Sequence, residues 1–387
     1  MDKYNIKSIE EGLTKIEFPE FDKVSSKAPV FYNPHMELNR DLSILAIQVF
    51  QKQQAREINI CDLFGGSGIR GIRYKNEISG VGDVFINDIS ETANAFEKHN
   101  IQLNNLEDIE VFQHDASMFL RMKRGEFDVI DIDPFGTPAP FIDSAGYCAR
   151  RDSLLCVTAT DTSALCGTYK EPCIRKYNVK PYKSEYCHET GIRILACFVA
   201  LTLSKYGKFI EVKMSHSTEH YMRLYIEVKK GPTRTDESLK NIGYISHCKS
   251  CLHRHVSLGL ACSIEDTCPV CGEKLIHAGP LWLGDIQDRD FISKMIDEIQ
   301  FKKINSEDEA LKLLNFCLSE AGFDPCFYDI HLICKSLKIS APKLDLIFDE
   351  LKSQGFKAVK THYNPLGIKT DAGIEIIKNI LLKLVND

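Results

Sequence analysis

A glycine-rich segment follows the first predicted strand of an alternating βα region and has the spacing of a nucleotide-binding turn. Gly66, Gly68 and Gly71 form the pattern Gly-x-Gly-x-x-Gly directly after Ile58–Phe64. Glycine lets the backbone turn sharply and lets a ligand approach it closely. Asp88 follows Gly68 by 20 residues, where an acidic side chain can bind the hydroxyls of a ribose. The pattern predicts a nucleotide-binding loop, and taken alone it fits NAD and S-adenosylmethionine equally.

A second motif, Asp133-Pro134-Phe135-Gly136, ends a later apolar run and favours S-adenosylmethionine. An acidic or amide residue, a proline and an aromatic residue at this place are typical of methyltransferases that act on amino nitrogens. The lone pair of a nucleobase amine is delocalised into the ring, and an acceptor such as the Asp133 carboxylate can localise it. Phe135 can stack on the base and hold the amine in line with the methyl group. The alternative interpretation is an ordinary loop with a capping aspartate and a packed phenylalanine.

Four of the 15 cysteines form two Cys-x-x-Cys pairs with 16 residues between the pairs. Thiolates on two such turns converge on Zn²⁺ with tetrahedral geometry. Four protein ligands leave no open coordination position, so the predicted zinc is structural rather than catalytic. Buried thiols or disulfides are the alternative. The predicted zinc ligands are Cys248, Cys251, Cys268 and Cys271.

The elements that must position these motifs alternate between short β-rich runs and helical stretches. Such alternation predicts a mainly parallel sheet covered by helices. After a long helix at about 185–205, two runs with no helix between them predict a hairpin that ends the sheet with an antiparallel strand. This is the order of a class I S-adenosylmethionine-dependent methyltransferase, a Rossmann-like α/β fold. Asp115 and Ala116 follow the third strand, where such folds usually hold the adenine. The predicted strands are Ile58–Phe64, Asp83–Asn87, Ile109–Gln113, Phe127–Ile132 and Leu154–Ala159, and the hairpin is Lys208–Met214 with Arg223–Lys229.

The composition of Lys229–Asp236 is typical of a linker, which predicts a division at residue 230. We expect residues 1–230 to be the methyltransferase domain with an N-terminal extension. We expect residues 231–387 to be an α+β domain with a zinc ribbon at about 244–276. Helices followed by two short extended runs predict a winged-helix-like segment at about 325–387.

Composition narrows the class of protein. Of the 387 residues, 44% are hydrophobic and 26% are charged, which is typical of globular proteins. The net charge of −6 excludes a uniformly basic nucleic-acid coat. The apolar run Ile194–Leu203 is too short to span a bilayer, and no signal peptide is recognisable, so we expect a cytoplasmic protein without a membrane segment. Residues 335–369 are nevertheless basic, with seven lysines against three acidic residues, and are a candidate RNA-binding surface.

Across nearly its whole length the chain resembles the archaeal tRNA (guanine(26)-N(2))-dimethyltransferases. The resemblance implies transfer of one or two methyl groups from S-adenosylmethionine to N2 of guanine 26, with tRNA as the partner. No obligate protein partner is inferred. The stretches that carry the resemblance are Glu11–Thr14, Phe31–Pro34, Asn39–Asp41, Ser67–Tyr74, Asp133–Gly136, Thr158–Thr162, Leu165–Gly167 and Thr361–Ala372.

The same resemblance implies roles for individual residues. Phe31 and Phe135 would sandwich the target guanine, with Asp133 beside its N2. The residues implied to hold S-adenosylmethionine are Arg40, Arg70, Asp88, Asp115 and Ala116.

Two other functions compete with methyl transfer to tRNA. One is an NAD-dependent oxidoreductase, which the Asp133 motif disfavours. The other is a non-catalytic nucleic-acid binder, which the intact glycine loop disfavours.

Overall fold

The structure of the protein is a computed structural model that describes residues 4–20 and 28–386. Within these residues, fifteen strands form four sheets. In chain order the strands are β1 (Ile6–Glu11), β2 (Thr14–Pro19), β3 (Ile58–Asp62), β4 (Val81–Asn87), β5 (Ile109–Phe112), β6 (Val129–Ile132), β7 (Ser153–Ala159), β8 (Lys208–Thr218), β9 (Tyr221–Lys230), β10 (Ile242–Cys248), β11 (Arg254–Leu258), β12 (Leu275–Trp282), β13 (Tyr328–Asp329), β14 (Ala358–Thr361) and β15 (Asn364–Thr370).

Helices cover both faces of the largest sheet and make up most of the C-terminal part. A short 3₁₀ helix, Pro34–Met36, precedes the first α-helix. The α-helices are α1 (Glu37–Gln54), α2 (Ile69–Glu77), α3 (Glu91–Leu103), α4 (Ala116–Met122), α5 (Ala139–Cys148), α6 (Thr162–Leu165), α7 (Lys170–Tyr177), α8 (Cys187–Ser204), α9 (Pro232–Leu239), α10 (Arg289–Ile299), α11 (Glu307–Glu320), α12 (Ile330–Leu337), α13 (Leu344–Ser353) and α14 (Ile374–Asn386).

The largest sheet has seven strands in the order β5-β4-β3-β6-β7-β9-β8. The first five are parallel, and β9 is antiparallel to both of its neighbours. The predicted parallel sheet with a terminal hairpin is therefore confirmed. The antiparallel strand lies one position inside the edge, however, because β9 rather than β8 pairs with β7. Burial explains this order, since the first eight residues of β9 are all buried, as an inner strand requires.

The glycine loop between β3 and α2 needs glycine for two physical reasons. Gly66 and Gly68 have φ angles of 57° and 80°, in the left-handed region that favours glycine. At Gly71 a Cβ would lie 2.5 Å from Cγ1 of Ile86, so only glycine lets α2 pack this closely on β4. The loop thus lies at the carboxyl edge of the parallel strands, where open α/β sheets bind ligands.

The segment predicted as a linker is not a free connection. Lys229 and Lys230 end β9, and α9 begins at Pro232, whose fixed φ suits the first turn of a helix. Farther along the chain, α10 and α11 pack against α1, and Phe50, Phe291 and Leu314 share one hydrophobic cluster. The division at residue 230 stays a prediction, and the apolar core continues across it.

The C-terminal elements follow the predicted order of helices and extended runs. Strands β13, β15 and β14 form a small sheet, against which α12, α13 and α14 enclose their own hydrophobic cluster. Strands β11, β10 and β12 form another small sheet. Cys248 ends β10, and Cys251, Cys268 and Cys271 lie in the connections between the strands. In the part of the chain that the structure describes, α8 is the helix whose length and hydropathy would suit a membrane span, and 67% of it is buried inside the protein.

Candidate active site and metal centre

A cavity of about 360 Å³ lies beside the glycine loop at the carboxyl edge of the sheet. A larger groove, of about 960 Å³, lies between β8, α9 and α10 and contains none of the predicted site residues. Six of the eight residues predicted for catalysis and cofactor binding line the smaller cavity, and Asp115 and Ala116 do not. The six are Phe31, Arg40, Arg70, Asp88, Asp133 and Phe135.

Asp133 and Arg70 form an ion pair in the wall of this cavity. Arg70 donates from Nε to Asp133 Oδ2 at 2.7 Å, and its Nη2 lies 2.5 Å from the same oxygen. Asn39 holds the guanidinium from the other side, because its Oδ1 accepts a hydrogen bond from Nη2 at 2.7 Å. The remaining Arg70 nitrogen, Nη1, is buried without a hydrogen-bond partner. A ligand carboxylate is the kind of group that would satisfy it.

Arg40 is engaged elsewhere. Its Nε donates to Glu11 Oε2 at 2.7 Å, and its Nη2 contacts the other Glu11 oxygen. Its Nη1 and Nη2 also donate to the Asn33 carbonyl at 3.2 and 3.1 Å. The structure therefore uses Arg40 to connect the β1–β2 hairpin to the start of α1, and a role in cofactor binding stays a prediction.

Asp88 braces the glycine loop from the end of β4. Its Oδ2 accepts a hydrogen bond from Gly66 N at 2.9 Å, and its Oδ1 accepts one from Ser90 N at 2.9 Å. A carboxylate offers about four acceptor sites, so hydroxyl donors can still bind beside these amides. Asp115 caps α4 by accepting from Met118 N at 3.0 Å. Its strand neighbours that of Asp88, but its side chain lies outside the cavity wall.

The two phenylalanines implied to sandwich a base contact each other directly. The ring centroids of Phe31 and Phe135 lie 4.4 Å apart at an interplanar angle of 80°. A base stacked between them needs the rings about 7 Å apart, twice the usual carbon–carbon contact distance. Phe135 is 54% exposed, so about half of its surface is not packed against other residues.

The comparisons with known proteins agree with this geometry. Residues 12–382 match the family model described as N2,N2-dimethylguanosine tRNA methyltransferase. A protein of Methanobrevibacter smithii, named tRNA (guanine(26)-N(2))-dimethyltransferase, is 75% identical over 384 residues, which cover 99% of each chain. A protein of the same name from Methanothermobacter thermautotrophicus is 53% identical and covers 98% of this chain and 99% of its own.

A solved structure, Trm1 from Pyrococcus horikoshii in complex with S-adenosyl-L-methionine, superposes with a TM-score of 0.87 at 34% identity. The match covers 97% of this chain and 99% of that one. The chain belongs to the N2,N2-dimethylguanosine tRNA methyltransferase family. The predicted family and the class I methyltransferase fold are confirmed, and the roles of individual residues stay predictions.

Sequence reasoning missed the buried charges behind the site of this methyltransferase. Arg223 donates from Nη1 and Nη2 to the two oxygens of Asp131 at 2.7 and 3.0 Å, and Tyr74 donates to Asp131 Oδ2. Burial opposes ionisation of Asp131, but Arg223 and Arg70 outweigh it and lower its pKa. Arg70 Nη1 lies 3.7 Å from Asp131, so the network extends to Asp133. Asp131 in β6 and Arg223 in β9 are charged residues within otherwise largely apolar strands. That pattern could have predicted a buried ion pair between them.

The loop after β7 is fastened to the Asp133 loop. Thr160 Oγ1 accepts from Gly136 N at 2.8 Å, and Thr160 N donates to Gly136 O at 2.8 Å. Asp161 accepts from Tyr177 at 2.7 Å and from Lys176 at 2.9 Å. Asp161 therefore occupies the N-cap position of α6 without a side-chain capping hydrogen bond, and its carboxylate binds α7 instead.

The four predicted zinc ligands converge in the methyltransferase as their spacing indicates. Their sulfur atoms all lie within 4.8 Å of one another. The contacts Cys248–Cys271 and Cys251–Cys268 are 3.4 and 3.5 Å, close to the about 3.8 Å between ligands of a tetrahedral zinc thiolate site. The two Cys-x-x-Cys turns are closed by equivalent backbone hydrogen bonds. Leu252 N donates to Cys248 O, and Gly272 N donates to Cys268 O, both at 2.9 Å. The residues present fit a structural zinc.

The prediction that Lys369 belongs to an RNA-binding surface is wrong. Lys369 is 2% exposed, and its Nζ lies 2.9 Å from Glu189 Oε2. His362 is also turned inward, where its Nδ1 lies 2.8 Å from Glu320 Oε1. The other lysines of the segment are exposed and remain candidates for RNA contact: Lys335, Lys338, Lys343, Lys352, Lys357 and Lys360.

We predict that Glu189→Gln destabilises the protein because it leaves Lys369 and Arg193 as buried charges without their carboxylate. The expected loss at pH 7 is about 3–5 kcal/mol of unfolding free energy. Burial opposes ionisation of Glu189, yet Lys369 and Arg193 lower its pKa to about 2, below the usual 4.5. The stabilisation is thus complete above pH 4.5 and is lost as the pH falls towards 2. Urea unfolding between pH 7 and pH 3 measures both effects.

Glu126→Gln is the control for this experiment, because Glu126 is 44% exposed in a surface pair with Lys123. We expect a change below about 1 kcal/mol for this variant. Equal stability of Glu189→Gln and the wild type at pH 7 would contradict the buried pair.

Proposed function

We propose that this protein transfers methyl groups from S-adenosylmethionine to N2 of guanine 26 in tRNA, adding one methyl group and then a second. One observation carries the proposal: a carboxylate, Asp133, is held by Arg70 in a cavity that also contains the glycine loop and two aromatic rings. Membership of the dimethylguanosine family names the reaction. We expect the enzyme to act in the cytoplasm, where tRNA is modified.

The cavity supports binding of S-adenosylmethionine in two respects. The buried Arg70 Nη1, which has no hydrogen-bond partner, is a donor for the carboxylate of the methionine part. Asp88, at the end of β4, is an acceptor for ribose hydroxyls. We retain Asp115 and Ala116, at the end of the neighbouring strand, as candidates for the adenine, and Arg40 as a candidate for the carboxylate. When bound, S-adenosylmethionine supplies an electrophilic methyl group.

Asp133 is proposed to act on the amine. Within the described residues, both Arg70 contacts fall on Oδ2, so Oδ1 is the oxygen available to an N–H of guanine N2. A hydrogen bond to this oxygen localises the nitrogen lone pair, and the carboxylate can then accept the proton that N2 releases. One N–H remains on N2 after the first transfer. The same carboxylate can therefore serve both transfers.

Phe31 and Phe135 are proposed to hold the base. Guanine 26 must leave its stacked position to enter the cavity, and contact with two rings offsets part of the lost stacking. Because the rings now touch, the base takes the place of the contact between them. The exposed Phe135 is proposed to be the ring that moves.

The tRNA is proposed to contact the basic surface of the C-terminal part. The exposed lysines can neutralise phosphates, while the base itself carries little information about its position in the molecule. The four cysteines are proposed to hold a structural zinc that stabilises the small sheet of β10, β11 and β12. The turn between β10 and β11 packs on the C-terminal cluster through Leu252.

We predict that Asp133→Asn lowers the single-turnover rate of methylation by about 10²-fold or more, because the amide cannot accept the proton. Binding of S-adenosylhomocysteine, measured by calorimetry, should change far less. Asp345→Asn, at an exposed site, is the control. A near-normal rate for Asp133→Asn would show that another group serves as the acceptor.

We predict that Phe135→Leu lowers kcat/KM for tRNA by about 5- to 150-fold, which corresponds to about 1–3 kcal/mol of base stacking. Phe135→Tyr keeps the ring and should retain most of the activity. Phe301→Ala is the control, because Phe301 is 68% exposed and is not part of the cavity wall. Equal activity of the leucine and tyrosine variants would exclude stacking on Phe135.

We predict that replacing Lys352, Lys357 and Lys360 together with alanine weakens tRNA binding and reduces its dependence on salt. Each lost phosphate contact should reduce the slope of log K against log salt by about 0.7–0.9. The control triple changes three exposed lysines outside the segment: Lys52, Lys240 and Lys303. Identical salt slopes for the two triple variants would locate the RNA-binding surface elsewhere.

A further inference from the structure

A second cluster of metal-ligating side chains lies apart from the four predicted zinc ligands. Cys166, Cys187 and His188 present two sulfur atoms and an imidazole nitrogen, all within 4.8 Å of one another. Cys166 Sγ lies 3.7 Å from His188 Nδ1. Cys166 follows α6, and the other two residues begin α8, so segments about 20 residues apart in the chain meet here.

We propose that Cys166, Cys187 and His188 form a second zinc site, distinct from the Cys248–Cys271 centre. Zinc binds thiolate at about 2.3 Å and imidazole at about 2.0–2.1 Å, which places tetrahedral sulfur and nitrogen ligands about 3.6 Å apart. The observed distance of 3.7 Å between Cys166 Sγ and His188 Nδ1 is close to this value, so these two ligand atoms need not move to bind the metal. Two thiolates and a neutral imidazole balance the charge of a divalent cation and suit zinc among the common metals.

The fourth coordination position is proposed to be filled by an oxygen. Ser217 Oγ lies 3.2 Å from His188 Nδ1 and is partly exposed, which marks the open side of the cluster. The serine hydroxyl or a water molecule can complete four-coordination there. On binding, each thiol releases its proton to solvent, and the sulfurs become the thiolate ligands.

The backbone on both sides of the cluster is already fixed, which favours a metal site over two thiols that meet by chance. Cys166 N donates to Thr162 O at 2.7 Å, and Cys187 N donates to Ser184 O at 3.2 Å. Gly167 has a φ of 78°, and a Cβ there would lie 2.9 Å from Lys183 N, so only glycine lets the two segments approach this closely. A preformed arrangement lowers the entropy cost of binding.

The position of the cluster indicates a structural role for the proposed metal. Cys166 comes shortly after Thr160, which lines the cavity and is fastened to Gly136 of the Asp133 loop. A metal between Cys166 and the first turn of α8 would anchor the end of this loop to a buried helix. We therefore assign the site to positioning of the cavity wall rather than to contact with the substrate.

Counting zinc in the full chain tests this proposal. The protein is purified in reducing buffer, supplied with zinc, freed of excess metal and analysed by mass spectrometry for zinc per chain. We expect about two zinc ions per wild-type chain and the loss of one in Cys187→Ser and in His188→Asn. Cys251→Ser should lose the other. Cys262→Ser, a partly exposed cysteine outside both clusters, should lose none.

Because each loss is counted against the wild type, the result does not depend on whether the four-cysteine centre is filled. Circular dichroism verifies that each variant is folded. Loading with cobalt in place of zinc gives a second measurement, by absorption. The thiolate-to-cobalt absorption left in Cys251→Ser should come from a two-thiolate site and disappear in Cys251→Ser/Cys187→Ser. Unchanged zinc content in Cys187→Ser, or no cobalt absorption in Cys251→Ser, overturns the proposal.

Discussion

The ion pair between Arg70 and Asp133 is the interaction on which the site depends. Arg70 belongs to the first turn of α2, directly after the glycine loop, whereas Asp133 follows β6. A single guanidinium therefore fixes the distance between the end of the glycine loop and the Asp133 carboxylate. Charges as buried as Arg70 are costly unless they are paired and hydrogen-bonded. Asn39, Asp131 and Asp133 supply those partners from separate elements.

This requirement extends through the sheet. Asp131 is fully buried and would be costly without the two donors of Arg223 on β9. Arg223 in turn donates to Thr158 on β7 and to Ser43 on α1. The inner position of β9, which differs from the predicted edge, is what brings Arg223 to Asp131. The order of the strands and the position of the Asp133 carboxylate are thus parts of one arrangement.

The parts of the structure that could be predicted from sequence are those set by local patterns. The alternation of apolar runs located the strands, and the spacing of Cys248, Cys251, Cys268 and Cys271 located their cluster. Sequence gives the type of a residue but not the partner that it meets, so the pairing of Arg40 with Glu11 was missed. Lys369 was misplaced for a related reason: three consecutive residues of β15 are buried, and alternation along a strand then no longer separates inside from outside.

Helix α8 connects the two parts of the chain in a way that local composition does not show. Its first turn carries Cys187 and His188 beside the loop after β7, and in the same turn Glu189 forms an ion pair with Lys369 of β15. Arg193 on the same helix donates to the carbonyls of Trp282 and Gly284 at 3.0 Å. A displacement of the C-terminal part would thus act on the helix that begins beside this loop. The apolar core and these buried polar contacts thus join the C-terminal part to the loop that borders the cavity.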